Sequence, residues 1–230
     1  MIYIIGDTHG KQDRFAHLKG EKLWTAGDYL IICGDFGYVF QNNKSENLFL
    51  DELEKKPYTI CFCDGNHENF DALCRYPKVP FCGGFAHRIR ENIYHLKRGQ
   101  IYDIDGLIFF TMGGAYSIDR FLRIEGLSWW RQELPSRAEQ RFAERNLAEH
   151  GNKVDYIVTH TAPSFVISAL GGYPAEEERE LTDFFEKLSK RVCFKKWFFG
   201  HWHKDGEIGQ RFRPIYLDVV AIDPKSEKEC

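Results

Sequence analysis

No stretch of this sequence approaches the about 20 consecutive apolar residues needed to cross a bilayer. No basic segment followed by an apolar run opens it, so neither an anchor nor a secretory leader is read and a cytoplasmic protein is expected. Seven cysteines are present but no Cys-x-x-Cys pair, which leaves a zinc ribbon or a thioredoxin-type motif without support. Cys33, Cys61 and Cys63 lie in apolar runs and read as small buried hydrophobes. An excess of either charge is also lacking, since 31 basic against 34 acidic residues give a formal net charge of −3. That balance supplies no footprint for long nucleic acid or for an anionic membrane surface. No repeat, low-complexity tract or linker divides the chain.

What is there suffices for a large core. A hydrophobic fraction of 43% over 230 residues can bury one domain without disulfide staples. The expected domain covers 1–222, with 223–230 a charged, solvated tail. Short β-branched and aromatic runs at 2–5, 29–33 and 58–63 read as strands covered on both faces. Helical patterns fall between and after them, at 11–18, 45–55 and 68–76, so βαβ units and a parallel sheet are expected. Asp105-Gly106 between the runs 101–104 and 107–111 is a hairpin signal. Residues 136–150 read as a helix with Ser136 as N-cap, Glu139 completing a capping box and Gly151 as the stop. A strand at 154–159, an amphipathic helix at 175–191, a strand at 197–199 and a closing hairpin at 208–220 complete the reading.

The chemistry-bearing residues all follow the C-terminal ends of these strands, where ligands bind in open α/β sheets. Asp7 and His9 follow the first strand, Asp35 the second and Asn66 the third; His160, His201 and His203 follow two later ones. Oxygen and nitrogen donors without thiolate suit Mn, Fe, Zn, Ni or Mg rather than a soft-metal site. Two such ions about 3.5 Å apart can clamp a phosphate and acidify a water between them, which fits in-line attack at phosphorus. Each piece alone also reads as turn chemistry. Their order along one chain does not.

Gly6-Asp7-Thr8-His9, Gly34-Asp35, Gly65-Asn66-His67-Glu68, Thr159-His160 and Gly200-His201-Trp202-His203 together resemble the calcineurin-like metallophosphoesterase superfamily, in its prokaryotic-type branch. The resemblance implies a four-layer α-β-β-α sandwich, two mixed sheets flanked by helices, with the metal site at strand C-termini. It implies Asp7, His9 and His203 on one ion, Asn66, His160 and His201 on the second, and Asp35 bridging. It implies two divalent cations, manganese first among them, and a metal-bridging hydroxide as nucleophile. His67 would sit by the phosphate and protonate the leaving oxygen, a role suited to a side chain that titrates near neutrality. With Asn66 and Asp35 it forms the expected catalytic set. In the protein Ser/Thr phosphatase branch the second motif continues to an Asp and an Arg. Here Tyr38 stands in the place of that Asp, which favours small-molecule phosphatases, cyclic-nucleotide phosphodiesterases and nucleases.

Substrate contacts are sought in the loop after residue 111. Arg120 or Arg123 could grip phosphate through a guanidinium fork, and Tyr116, Tyr38 or Trp129 could stack on a base. Trp129 and Trp130 read equally as core anchors. Asp64, Asp103, Asp119, Asp205 and Asp218 read as structural, with Asp205 also placed to orient a histidine. His17, His87, His95 and His150 fit no motif. The function expected is a dinuclear metal-dependent phosphomonoesterase or small phosphodiesterase acting on a small phosphorylated substrate. A nuclease for short nucleic acid and a non-catalytic scaffold stay open as alternatives.

Overall fold

The computed structural model describes residues 1–16, 18 and 20–227, so His17 and residues 228–230 of the expected tail lie outside the described residues. Twelve strands are found among the described residues: β1 (Ile2–Ile5), β2 (Tyr29–Ile32), β3 (Thr59–Phe62), β4 (Lys78–Phe81), β5 (Gly84–Arg90), β6 (Ile93–Leu96), β7 (Ile101–Ile104), β8 (Leu107–Met112), β9 (Tyr156–Thr159), β10 (Lys196–Phe199), β11 (Phe212–Pro214) and β12 (Val220–Ile222). The helices are α1 (Asp13–Ala16), α2 (Lys44–Glu54), α3 (Phe70–Leu73), α4 (Arg137–Glu149), α5 (Ser164–Ala169), α6 (Arg179–Arg191) and α7 (Pro224–Glu227). The strands form a seven-stranded mixed sheet ordered β12-β1-β2-β3-β6-β5-β4 and a five-stranded mixed sheet ordered β11-β10-β9-β8-β7.

Alternation along the strands sorts the core into three layers. Successive strand residues point to opposite faces. Ile4, Ile31 and Cys61 from the large sheet meet Phe109, Val158 and Phe198 from the small one, filling the space between the sheets. Their neighbours Ile5, Leu30, Ile32 and Phe62 face the other way, onto Phe15 of α1, Leu50 and Leu53 of α2 and Leu73 of α3. On the far side Phe110, Ile157 and Trp197 pack on Leu147 of α4, Val166 of α5 and Phe185 of α6. Three apolar layers between four layers of backbone make an α-β-β-α sandwich. The near-continuous apolar runs of the sequence are explained by burial of both strand faces.

Several elements depart from the sequence reading. Residues 77–100, unassigned there, build β4, β5 and β6 and widen the large sheet. Of the expected hairpin at 208–220, only an antiparallel bridge between Ile208 and Phe212 is formed. β11 pairs in parallel with β10 in the small sheet, and β12 pairs antiparallel with β1 in the large one. The Asp205 carboxylate takes the backbone N–H groups of Tyr216, Leu217 and Asp218 and turns the chain between the two sheets. The helix expected at 68–76 is only the turn of α3, because Glu68 is buried beneath the second strand end. Helix 175–191 begins at Arg179, after a 3-10 turn at Glu176–Glu178. In the expected tail, α7 is a single helical turn. No described helix is long and apolar enough to cross a membrane.

One polar knot ties the sheet end to the crossover between the sheets. Buried Asp64 accepts from Arg98 Nε at 2.8 Å, and His95 Nε2 lies 3.2 Å from its other oxygen. Burial works against charge on Asp64, but Arg98 and His95 hold its carboxyl well below the ordinary range. Asp64→Asn takes from buried Arg98 its closest counter-ion, leaving Glu139 at 3.5 Å, and is expected to cost up to roughly 3 kcal/mol in urea unfolding. Since its folded pKa is depressed, the wild-type contribution is complete above about pH 4, the unfolded value, and is lost as pH falls through the folded one. An Asp64→Asn protein as stable as wild type at neutral pH would refute the assignment.

Candidate metal centre

Asp7 and His9 leave the end of β1, Asp35 that of β2, Asn66 that of β3, His160 that of β9, and His201 and His203 that of β10. The two sheets deliver these seven residues to one crevice. Five of them, Asp7, His9, Asp35, His201 and His203, hold left-handed backbone with φ between 43° and 64°. Residues with a Cβ pay on the order of 1 kcal/mol for that conformation. The sharp turn aims Asp7 and His9, two residues apart, at the same space.

The donor atoms fall into two groups. Asp7, His9 and His203 gather, with His9 Nε2 and His203 Nε2 2.9 Å apart and Asp7 Oδ1 3.6 Å from His203 Nε2. Deeper, Asn66 Oδ1 lies 3.0 Å from both His160 Nε2 and His201 Nδ1. Asp35 reaches both groups, its Oδ2 being 3.5 Å from His9 Nδ1 and its Oδ1 3.4 Å from His160 Nε2. Asp7 also belongs to a cluster with Asp35 and His160.

These atoms suit a divalent cation. His160 Nδ1 donates to the Cys33 carbonyl at 2.8 Å, so Nε2 is left facing two oxygen acceptors. Asn66 Nδ2 donates to Ser117 Oγ at 3.1 Å, which turns its amide oxygen toward the histidines. Lone pairs therefore point at one another, and a positive charge between them resolves the conflict. The titration behaviour says the same. Burial disfavours charge on His160, yet Asp35 lifts it to about 10, while burial and the nearby His160 push His201 down to about 3. Asp35 is held well below the carboxylate range against its own burial, chiefly by His160. A hard cation with nitrogen and oxygen ligands fits this set.

The loops that carry the donors are themselves anchored. Glu68 is fully buried and accepts the Phe36 N–H at 2.7 Å, bracing the turn after Asp35; burial pushes its carboxyl well above the ordinary range. Tyr216, on the loop that Asp205 holds, stacks on His203 with centroids 4.5 Å apart. Asp205 thus supports a histidine through an intermediary. The His67 backbone N–H donates to Asp35 Oδ1 at 2.8 Å, and the His67 ring lies 5.5 Å from that of His9. Burial lowers the His67 pKa below its ordinary value, with Asp35 opposing and Arg123 assisting.

The residues proposed for substrate fare differently. Tyr38 is buried, its ring stacked on Phe49 and its hydroxyl donating to the Lys11 carbonyl, and it forms part of the wall of a cavity shared with His9 and His67. Arg120 is paired with buried Glu133 and lies between the rings of Tyr116 and Trp129, 4.4 and 4.2 Å from their centroids. Arg123 grips Asp119 through two bonds of 2.7 Å. Both arginines are therefore spent on local carboxylates. Tyr116 lines the cavity over the donors and donates to Glu177 at 3.2 Å. Trp130 is buried and donates to Asp71. Ser117, Ile118, Tyr173 and Trp202 also line that cavity. No local pattern singled them out, since their place depends on how distant loops meet.

A family model for calcineurin-like phosphoesterases matches residues 1–205. The chain belongs to that family. That family is metal-dependent, and its centres are typically dinuclear, in keeping with the donor clusters found here. Its fold is similar to that of a solved structure, a presumed 5′-nucleotidase from Staphylococcus aureus in complex with alpha-ketoglutarate. The TM-score is 0.53 at 14% identity over 97% of this chain, which spans about half (51%) of the longer protein. No curated protein gives a significant match to the sequence.

The motif glycines make room for the donors. A Cβ on Gly65 would lie 2.0 Å from Asp35 Oδ1, and one on Gly34, itself at φ +86°, 2.2 Å from His160 Nδ1. Gly65→Ala is expected to displace Asp35 and strip bound metal while leaving a folded chain. Elemental analysis after dialysis reads this; a full metal complement in the variant would contradict it.

Proposed function

We propose that this phosphoesterase acts on a small phosphate ester with two divalent ions, manganese the first choice among Mn, Fe, Zn, Ni and Mg. The observation that carries the reading is Asp35, which turns one oxygen to each donor group and so is shaped to span two ions. Asp7, His9 and His203 would hold one, and Asn66, His160 and His201 the other. When bound, such ions neutralise phosphoryl oxygens and make a water acidic near neutral pH.

The chain's own residues do the rest. Asn66 contributes a neutral oxygen, which limits negative charge where an anionic substrate must approach. Ser117 and the Cys33 carbonyl orient Asn66 and His160, so the donors are preorganised. His67 sits beside them, fastened through its backbone to Asp35, and is the titratable group placed to give a proton to the leaving oxygen.

With manganese the full chain is expected to hydrolyse an aryl phosphate monoester or the matching bis-aryl diester, and chelation should abolish turnover. His67→Ala is expected to lower kcat by about 10²–10⁴-fold with metal retained. Asp35→Asn is expected to lose both metal and turnover. Manganese should raise the melting temperature of the chelated protein, because a ligand that binds only the folded state stabilises it. Metal-loaded protein inert on both esters, or turnover indifferent to chelation, would sink the proposal.

A further inference from the structure

His9 and His67 face two cavities rather than one. Each measures about 430 Å³, and these two histidines are common to both walls. A reacting phosphorus beside them therefore has room for a substituent on either side. Cavities of this size hold a substantial organic group.

The two spaces differ in chemistry. One is lined by Gln12, Gln41, Asn43 and Ser45 with Phe40 and Phe49. Its one carboxylate, Glu46, is occupied by the backbone N–H groups of Phe40, Gln41 and Asn42. The side chains of Gln12 and Ser45 make no hydrogen bond to another described residue. The other cavity is walled by Tyr116, Ile118, Tyr173 and Trp202, with Ile118 78% and Tyr173 86% exposed. Large apolar groups standing this open at the mouth of a metal site are available to cover an apolar or aromatic group.

Charge supplies an independent argument. A phosphate monoester carries about −1.5 to −2 near neutral pH, and a diester only a single negative charge. No lysine or arginine lines either cavity among the described residues. The guanidiniums of the adjoining loop, Arg120 and Arg123, are already paired with Glu133 and Asp119. A site without a spare cation beyond its metals favours the less charged ester.

Resting on the phosphoesterase reading above, we infer that the substrate is a phosphodiester with unlike arms. One arm is neutral and hydrogen-bonding, seated among Gln12, Gln41 and Ser45. The second is apolar or aromatic, seated against Ile118 and Tyr173. In the reaction a water oxygen bonds to phosphorus and gives its proton to solvent. One ester P–O bond breaks, its electron pair leaving on the arm's oxygen, which takes a proton from His67. The products are a phosphate monoester and an alcohol, and nothing is oxidised or reduced.

The test uses the manganese-loaded full chain and three esters with one leaving group: p-nitrophenyl phosphate, methyl p-nitrophenyl phosphate and p-nitrophenyl thymidine 5′-phosphate. The methyl diester is expected to exceed the monoester, and the thymidine diester to exceed the methyl one by about tenfold or more in kcat/KM, as binding of a remote arm should. Ser45→Trp, on the exposed first turn of α2, should shrink the thymidine-to-methyl ratio, and Tyr173→Ser should raise KM for both diesters. Preference for the monoester, or a thymidine-to-methyl ratio near one, overturns the inference while leaving phosphoesterase activity standing. A ratio indifferent to Ser45→Trp overturns the seating of the polar arm. Silence on all three esters overturns the phosphoesterase reading and this one with it.

Discussion

Electron-rich atoms that would repel one another are held together at the floor of an open crevice, the deepest of them buried. Two carboxylates, Asp7 and Asp35, are almost wholly buried there beside four imidazoles and an amide oxygen. Nothing in an apolar interior tolerates that without a compensating positive charge. The lift of His160 and the depression of Asp35 both follow from that crowding of acceptors. The left-handed turns, the bare glycines and the buried Glu68 brace all serve to keep those atoms from relaxing apart. Conformational cost is concentrated in five residues and supported by the three apolar layers around them.

Sheet architecture decides why the site has the reach that it does. β1, β2 and β3 are adjacent parallel strands of one sheet, and β9 and β10 are adjacent parallel strands of the other. Each sheet brings part of the ligand set to its own edge. The interior layer, from Ile4 to Phe198, then sets the gap between the two parts. Rigid strands fix the donors more narrowly than free loops would. The mouth of the crevice is built instead from the loops around 116–119 and 173, where the surface is open and local ion pairs hold the shape.

Much of this was legible before any coordinates. The strand-end positions of Asp7, Asp35, Asn66, His160 and His201 could be read because apolar runs mark strands and Gly-Asp or Gly-His marks where they stop. The parallel sheet and the helix capped by Ser136 and Glu139 followed from periodicity and capping chemistry. What could not be read depends on long-range partners. Residues 78–96 alternate basic and apolar groups around Pro80, a weak local signal that becomes three strands only because β3 offers an edge to β6. The segment 208–220 has hairpin composition, yet Asp205 diverts it so that its two strands serve different sheets. Tyr38 looks like a free platform for a base, yet Phe15, Phe36 and Phe49 pack around it and leave it as part of a cavity wall. The arginines of the 120s look free until Glu133 and Asp119 are placed beside them.

The distance in sequence between donors has a consequence for biosynthesis. His9 and His203 meet although 194 residues separate them, and His160 meets Asn66 across 94. A growing polypeptide makes Asp7, His9, Asp35 and Asn66 first, and the set is complete only after His160, His201 and His203 have followed. Domains fold as units once enough of the chain is available. Completion of the donor set is thus a late event, and a ribosome-bound or truncated chain ending before residue 201 carries Asp7, His9, Asp35, Asn66 and His160 but neither His201 nor His203.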